Sequence, residues 1–430
     1  MRIIQADGEA EYRFIEELKA RSRETDGTVK ARVSAIIDEV RKHGDEACDR
    51  YTLELDGSLP PYREVPGEAL TDALAGLAPD LAEAMKEAAA NIWDYHSKQR
   101  PRAFEEKKGN GVILGRKCRG LHRVGIYVPG GTAAYPSTVL MNAIPAKIAG
   151  VGEIIMATPP RREGLADQAV LAAAALAGVD RVFLVGGAQA VAAMAYGTET
   201  IPKVDKIVGP GNIYVATAKK LLFGEVDIDM IAGPSEILII ADEGANPAYA
   251  AADLLSQAEH DVMASAVLVT HSPSLAEKVV GETERQAALY PREAVIRESL
   301  ANYGAVILTR DLDDSIRFAN EFAPEHLEVM LDDPLAYVDR LNNAGSLFLG
   351  HYAPEPLGDY FAGPNHVLPT GFTARFFSPL SVESFIKYYS YTWYPKEELI
   401  KAAPYICKLA DQEGLAAHAG AVKIRREDTE

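Results

Sequence analysis

The stretch that decides the fold is Leu121-His-Arg-Val-Gly-Ile-Tyr-Val-Pro-Gly-Gly131. Its apolar run at 124–128 has the length of a buried β-strand, and a proline and two glycines follow it directly. A short apolar strand that ends in such a turn and leads into a helical segment is typical of a βα unit. We therefore expect an α/β domain to begin at residue 121.

Alternating strands and helices continue along most of the chain beyond this unit. The further strand candidates are residues 153–157, 181–185, 204–208, 225–231, 236–240, 265–270, 304–309 and 346–349. Continuous apolar strands separated by helices indicate parallel sheets that are covered on both faces. So many units suit two wound sheets better than one, and we expect the break between them near Gly233-Pro234.

The two ends of the chain have a different character. Val33, Ile36, Ile37 and Val40 recur with helical spacing, which predicts that the part before the first βα unit is mostly helical. Near the other end, the aromatic-rich run 385–395 precedes further predicted helices. This tail has about 50 residues, too few for a core of its own. We expect it to dock on the body of the protein or on a second subunit.

Composition excludes several classes of protein. The 430 residues carry a net charge of −18, which disfavours nucleic acid as the main partner because phosphate binding needs a cationic surface. Cys48, Cys118 and Cys407 lie far apart and form no C-x-x-C pair, so neither a disulfide framework nor a thiolate zinc site is expected. The start lacks a signal-peptide core, and the longest apolar run, 169–179, is too short to span a bilayer. The sequence predicts a soluble, cytoplasmic protein that binds no membrane.

Two short polar motifs lie at predicted helix ends. Gln257 and His260 are three residues apart and share one helix face, where an amide oxygen and an imidazole nitrogen could bind a metal such as Zn²⁺. Glu325 and His326 follow Pro324, which fixes the backbone where they emerge, and two adjacent titratable groups suit proton transfer. Taken alone, each motif is also compatible with a capped helix end or a packed histidine.

Two further motifs occur later in the chain. The Gly- and Pro-rich segment 356–371 is long for a connector and typical of a ligand-binding loop, in which Asp359 could bind a cation and His366 could form a hydrogen bond. In the tail, Glu413 and His418 could add a carboxylate and an imidazole to a metal site. The alternative interpretations are an ordered surface turn and a solvated helix face.

Two glycine-rich turns each connect a predicted strand to a helix. They are Leu184-Val-Gly-Gly-Ala-Gln189 and Val208-Gly-Pro-Gly-Asn212, and this is the position at which such turns bind phosphate. Neither completes the G-x-G-x-x-G pattern, since Tyr214 stands where the second turn needs its third glycine. They indicate dinucleotide binding only weakly, and ordinary tight turns of an α/β sheet explain them equally well.

Longer segments resemble a single enzyme family. In chain order they are VGIYVPGGTAAYPSTVLMNAIPAKIAGV, GGAQAVAAMAYGTETIPKVDKIVGPGN, IAGPSEILIIAD, LLSQAEHD, APEHLE, LGDYFAGPNHVLPT and EGLAAH. Together they resemble the histidinol dehydrogenase family, and they extend over nearly the whole chain. The resemblance implies an NAD-dependent dehydrogenase that oxidises L-histidinol through L-histidinal to L-histidine. These are the last two steps of L-histidine biosynthesis, and they reduce two NAD⁺ and consume one water.

The resemblance also implies roles for individual residues. The implied zinc ligands, for one Zn²⁺ per subunit, are Gln257, His260, Asp359 and His418, and the implied acid–base pair is Glu325 and His326. The implied NAD contacts are Tyr127, Gln189 and Asn212. The implied substrate contacts are Ser235, Gln257, His260, His326, Asp359, His366, Glu413 and His418. The family is a homodimer with shared active sites, in which Glu413 and His418 would complete the site of the partner.

The fold class that follows is α/β, with two incomplete Rossmann-like wound parallel sheets, a mostly helical N-terminal part and a small C-terminal tail domain. We expect residues 1–120 to pack on the second α/β domain, 121–234 to form the first Rossmann-like domain and 235–380 to form the second, which carries the metal and acid–base residues. Residues 381–430 would form the tail that crosses to the partner subunit.

Two other functions are compatible with parts of the sequence. Cys118 lies between basic residues, which could lower its pKa, so a thiol-dependent aldehyde dehydrogenase using Cys118 and Glu325 is one alternative. A non-catalytic α/β scaffold that binds a small imidazole or nucleotide is the other. The first predicts that Cys118→Ser is inactive, and the second predicts binding without formation of NADH.

Overall fold

The computed structural model describes residues 1–23, 27–130 and 135–427. Its helices are α1 (Ala10–Arg23), α2 (Gly27–Asp56), α3 (Gly67–Ala75), α4 (Pro79–Ser97), α5 (Pro136–Ala149), α6 (Gln168–Ala177), α7 (Gly187–Tyr196), α8 (Ile213–Leu222), α9 (Pro247–Ala258), α10 (Pro273–Ala287), α11 (Glu293–Tyr303), α12 (Leu312–Phe322), α13 (Glu355–Tyr360), α14 (Lys396–Gln412) and α15 (Ala416–Glu427). Its strands are β1 (Arg2–Gln5), β2 (Phe104–Lys107), β3 (Ile113–Gly120), β4 (Arg123–Tyr127), β5 (Glu153–Thr158), β6 (Arg181–Leu184), β7 (Lys206–Val208), β8 (Asp227–Ile228), β9 (Glu236–Ala241), β10 (Ser265–Thr270), β11 (Ala305–Leu308), β12 (His326–Met330), β13 (Ser346–Leu349) and β14 (Ile386–Trp393). None of the helices described is both long and apolar enough to cross a membrane.

The chain forms two compact units. The main unit comprises Met1–Arg100 and Leu121–Phe385, and the small unit comprises Pro101–Gly120 and Ile386–Glu430. The small unit therefore takes its residues from two places far apart in the sequence. Its boundary lies five residues beyond the predicted start of the tail, and it also includes the last part of the segment that was expected to pack elsewhere.

The main unit contains two parallel sheets, which confirms the predicted α/β class. The first sheet has the strand order β6-β5-β4-β7-β8, and the second has the order β1-β11-β10-β9-β12-β13. All neighbouring strands in both sheets are parallel. In each sheet the chain winds outwards from a central strand, β4 or β9, and then returns to build the other side. Ligands of wound α/β sheets bind outside the carboxyl ends of the strands at this reversal of strand order.

The N-terminal part is divided between the two sheets. Strand β1 pairs with β11, and Phe14 and Leu18 of α1 lie in the core of the second sheet. Val33 and Val40 of α2 lie instead in the core of the first sheet, together with residues of α7 and α8. The expected packing of this whole segment on the second domain is therefore wrong for α2. The apolar stripe of α2 was recognised in the sequence, but its period does not specify the partner surface.

The small unit contains an antiparallel sheet with the order β14-β3-β2. The aromatic-rich run forms strand β14, whose residues are all half-buried or exposed in this chain. Helices α14 and α15 pack on each other through Cys407, Ala410 and Ala419. This core is small, in agreement with the short length of the segment.

Candidate functional site

The chain turns sharply between α12 and β12, where the predicted acid–base pair lies. Ala323 ends α12 in the left-handed conformation with φ of 50°, and Pro324 follows it. His326 then opens β12, and it is 4% exposed, while Glu325 is 6% exposed. Both side chains thus lie at the amino ends of the strands of the second sheet, beside the reversal between β9 and β12.

The hydrogen bonds of His326 identify its free nitrogen. Its Nδ1 lies 3.1 Å from the backbone oxygen of Glu236, which can only accept, so Nδ1 carries the proton and donates. Its Nε2 is buried and has no hydrogen-bond partner among the described residues. Burial lowers the pKa of His326, which keeps the imidazole neutral near pH 7. The ring is therefore a base whose lone pair points away from the sheet backbone.

Glu325 contacts the backbone of the same residue, Glu236. Its Oε2 accepts a hydrogen bond of 3.0 Å from the backbone N–H of Glu236 and lies 3.8 Å from Nδ1 of His326. Burial, with the nearby carboxylates of Glu236, Asp359 and Glu355, raises the pKa of Glu325 well above its usual value. A carboxylate must be modified in this way before it can take a proton from water at neutral pH.

Three side chains form a group that could bind a metal ion. His260 follows the end of α9, and Glu355 and Asp359 lie on α13, and their ligand atoms are all within 4.8 Å of one another. Burial raises the pKa of Asp359 to about 6 and that of Glu355 to about 7, because their negative charges are removed from water. A bound cation would offset this cost. Imidazole and carboxylate ligands suit Zn²⁺.

Helix α13 approaches the sheet closely because it contains a glycine. A Cβ atom at Gly358 would lie 2.6 Å from a ring carbon of Phe348 on β13, so a larger residue would displace the helix. The ring of Phe348 lies 6.1 Å from that of His326. The glycine in the predicted ligand loop thus places Asp359 near the acid–base pair.

Three other predicted residues belong to the same main unit. Gln257 is 1% exposed, one turn before His260 on α9, and both atoms of its amide are buried without a hydrogen-bond partner among the described residues. Nδ1 of His366 lies 3.2 Å from the backbone oxygen of Asp359, and burial lowers its pKa to about 4. Ser235 directly precedes β9 and is half-buried. These positions agree with the predicted roles but do not test them.

Glu355 was missed by the sequence analysis. Its Oε2 accepts a hydrogen bond of 3.1 Å from Ser256, and its backbone N–H donates to Glu328 at 2.7 Å. Its Oε1 is buried without a hydrogen-bond partner and lies 3.8 Å from Nε2 of His326. The residue stands one position before the predicted ligand loop, and a glutamate between two prolines after an apolar strand was the available signal.

Glu413 and His418 lie in the small unit. Glu413 follows the end of α14 and His418 is in α15, and both are exposed. Their part in the site depends on the predicted crossing between subunits, and it stays a prediction. Cys118 also belongs to the small unit, within β3, and is a free thiol.

The predicted NAD residues line a cavity of about 820 Å³ at the carboxyl ends of the first sheet. Tyr127 ends β4, and its hydroxyl accepts a hydrogen bond of 3.0 Å from the N–H of Gly187 at the start of α7. Asn212 caps α8 and accepts from the backbone N–H of Tyr214 and Val215. Gln189 is fully buried, and both atoms of its amide lack a partner among the described residues. Two helix N-termini at one cavity suit a pyrophosphate.

The turn after β4 is only partly described. Pro129 and Gly130 line the cavity. Gly131, which belongs to the stretch that predicted the fold, lies outside the described residues. The turns before α7 and α8 both open on the cavity, as expected for a βα turn that contacts a ligand.

The family model, the curated relatives and one similar crystal structure agree on the family. The model of the histidinol dehydrogenase family matches residues 19–426. A histidinol dehydrogenase of Clostridium acetobutylicum is 52% identical over 428 residues, which is 99% of each chain. One from Listeria innocua is 52% identical over 416 residues, covering 96% of this chain and 97% of the relative. A crystal structure of histidinol dehydrogenase from Elizabethkingia anophelis is similar with a TM-score of 0.93 at 36% identity, covering 100% of this chain and 98% of the other.

Proposed function

The chain belongs to the histidinol dehydrogenase family, and on that premise we propose that it oxidises L-histidinol through L-histidinal to L-histidine with two NAD⁺. Membership makes it an oxidoreductase. The observation that supports the proposal best is the free Nε2 of His326, which faces Glu355 in the possible metal group. Such a site offers a base beside a place for a cation.

The donor set fits zinc. His260 and Asp359 would contribute two ligands. The amide of Gln257, which has no hydrogen-bond partner among the described residues, lies three residues before His260 in the last turn of α9. We assign the fourth position to His418 from the other subunit. Zn²⁺ bound there, one per subunit, would supply positive charge that holds the nitrogen atoms of the substrate in register. Ser235 and His366 would contact the same substrate, with Glu413 from the other subunit.

His326 acts in the first oxidation. Its Nε2 takes the proton of the substrate hydroxyl while the carbon that bears this hydroxyl gives up a hydride. The hydrogen bond from Nδ1 to the backbone oxygen of Glu236 fixes the ring throughout. The carboxylate of Glu355, 3.8 Å from Nε2, stabilises the imidazolium that forms. Glu355 is thus a positioning and charge-balancing residue that the family resemblance did not supply.

Glu325 acts in the second oxidation. The aldehyde must first add water, and the raised pKa of Glu325 makes its carboxylate a suitable base for that water. The hydrate then gives up a second hydride, with His326 again taking the proton. No cysteine is needed, because the hydrate itself is the hydride donor.

The cavity of the first sheet would hold NAD. Its two helix N-termini would face the pyrophosphate, and the buried amide of Gln189 would gain the partners that the protein does not provide. Tyr127 and Asn212 line the same space. The enzyme that performs both oxidations is a homodimer with shared active sites. It is located in the cytoplasm and binds neither nucleic acid nor membrane.

The test is the absorbance at 340 nm after L-histidinol and NAD⁺ are added. Two oxidations of one bound substrate should yield two NADH per histidinol with little free aldehyde. One NADH with accumulating histidinal would contradict the proposal, and binding without any NADH would favour the non-catalytic scaffold. The Cys118→Ser variant should keep full activity. Loss of activity in this variant would favour the thiol-dependent mechanism.

A further inference from the structure

One carboxylate in the cavity of the first sheet has no function in the scheme above. Asp56 is the last residue of α2 and lines this cavity together with Leu55 and Ile36 of the same helix. Its Oδ2 is buried and has no hydrogen-bond partner among the described residues. A buried acceptor without a donor is destabilising, so a ligand in the cavity that donates a hydrogen bond to Oδ2 would be favoured.

Burial is the only influence that shifts the pKa of Asp56, and no neighbouring charge lowers it. The C-terminus of a helix carries partial negative charge, which disfavours a carboxylate there. Arg32 lines the same cavity, but it forms an ion pair of 3.5 Å with Glu54 and its guanidinium lies over the ring of Tyr214. Burial accordingly raises the pKa of Asp56 to about 6. Above that pH the carboxylate is ionised.

The other cavity residues restrict the kind of donor. The N-termini of α7 and α8 suit a pyrophosphate, and the apolar side chains of Ile36 and Leu55 suit the face of a base. In a dinucleotide, the ribose lies between these two parts and carries two adjacent hydroxyl groups. Both can donate to one carboxylate, whereas a 2′-phosphate would place a second negative charge against it.

We propose that Asp56 accepts hydrogen bonds from the ribose hydroxyls of the cofactor and thereby selects a dinucleotide with a free 2′-hydroxyl over its 2′-phosphorylated form. This inference rests on the proposed function of the cavity as a dinucleotide site. It adds a residue that determines which of the two nicotinamide cofactors the enzyme uses.

The first experiment compares kcat/KM for NAD⁺ and NADP⁺ at saturating histidinol. The wild type should prefer NAD⁺. Asp56→Asn and Asp56→Ala should reduce the NAD⁺/NADP⁺ ratio by on the order of ten- to a hundred-fold, the effect of one charge-assisted hydrogen bond. Asp38→Asn is the matched control, since Asp38 is exposed on the same helix, and it should leave the ratio unchanged.

The second experiment measures binding of ADP and 2′,5′-ADP by calorimetry, and it needs no turnover. The wild type should bind ADP more tightly, and Asp56→Asn should remove most of the difference. In the first experiment, an equal decrease in kcat/KM for NAD⁺ and for NADP⁺ in the Asp56 variants would overturn the inference. That result is expected if Asp56 contacts the adenine amino group instead. A wild type that binds 2′,5′-ADP at least as tightly as ADP would also overturn the inference. A wild type that binds ADP but produces no reduced cofactor from histidinol would refute the proposed function instead.

Discussion

Glu355→Gln removes one negative charge beside the proposed base while it keeps the size of the side chain. Oε1 of Glu355 lies 3.8 Å from Nε2 of His326, and both atoms are buried. After His326 has taken the substrate proton, opposite unit charges at 3.8 Å attract by about 4 kcal/mol at an effective dielectric constant of about 20. Loss of most of this attraction predicts a decrease in kcat of about 10²–10³-fold for both histidinol and histidinal.

The assay is the initial rate at 340 nm as a function of pH, with the zinc content measured on the same samples. Burial lowers the pKa of His326, and the charge of Glu355 acts in the opposite direction. Without that charge the pKa falls further, so the imidazole stays deprotonated to lower pH. The acidic limb of the kcat/KM profile should therefore move to lower pH.

Glu298→Gln is the matched control, because Glu298 is exposed on α11, and it should behave as the wild type. A Glu355→Gln protein with full zinc and kcat within about three-fold of the wild type would refute this reasoning, since a buried charge pair is worth more than that. Loss of zinc with full recovery of activity in excess zinc would show that Glu355 acts on the metal and not on His326.

Three further predictions concern the rest of the site. Glu325→Gln should slow oxidation of supplied histidinal more than that of histidinol, because only the aldehyde needs activated water. Loss of a general base typically lowers the rate by about 10²–10⁴-fold. Equal slowing of both oxidations would reject this role of Glu325. Chelators should abolish turnover, and Zn²⁺ should restore it. Metal analysis should find less zinc in His260→Ala than in the wild type. Equal zinc content in the two proteins would exclude His260 as a ligand. Inactive His260→Ala and His418→Ala proteins, unfolded and refolded together, should regain about a quarter of wild-type activity, because one site of each heterodimer collects both lesions and the other none. An inactive mixture with heterodimers confirmed by native mass spectrometry would show that the tail acts within its own chain.

The parallel sheets were predictable because most of their strands are short apolar runs without polar interruption. Strand β12 was not assigned a range, since His326 and Glu328 interrupt its pattern although the whole strand is buried. Strand β8 is limited to Asp227–Ile228, much shorter than the predicted run at 225–231. Burying polar residues in a strand costs free energy, and β12 has such residues because His326 belongs to the proposed site.

The site was predictable where side chains follow a turn or a helix end. Gln257 lies in the last turn of α9 and His260 follows it, as their spacing indicated. His260 and Asp359 belong to one possible metal-binding group, and their roles stay predictions. Glu355 could not be recognised, because its role depends on the close approach of α13 to β13 and on Ser256 from a distant helix. Asp56 could not be recognised either, because a single acidic residue at a helix end forms no sequence motif.

The antiparallel sheet of the small unit has a consequence for biosynthesis on the ribosome. Strands β2 and β3 leave the exit tunnel early, but β14, the other neighbour of β3, is made only after both parallel sheets are complete. Until then one edge of β3 has open backbone hydrogen-bonding groups, which is a template for wrong pairing with another nascent chain. The basic residues of β3, Arg116, Lys117 and Arg119, would repel a second copy during this interval. Chains truncated before β14 keep this edge of β3 open permanently, so in spite of that repulsion they should aggregate more readily than their parallel sheets would suggest.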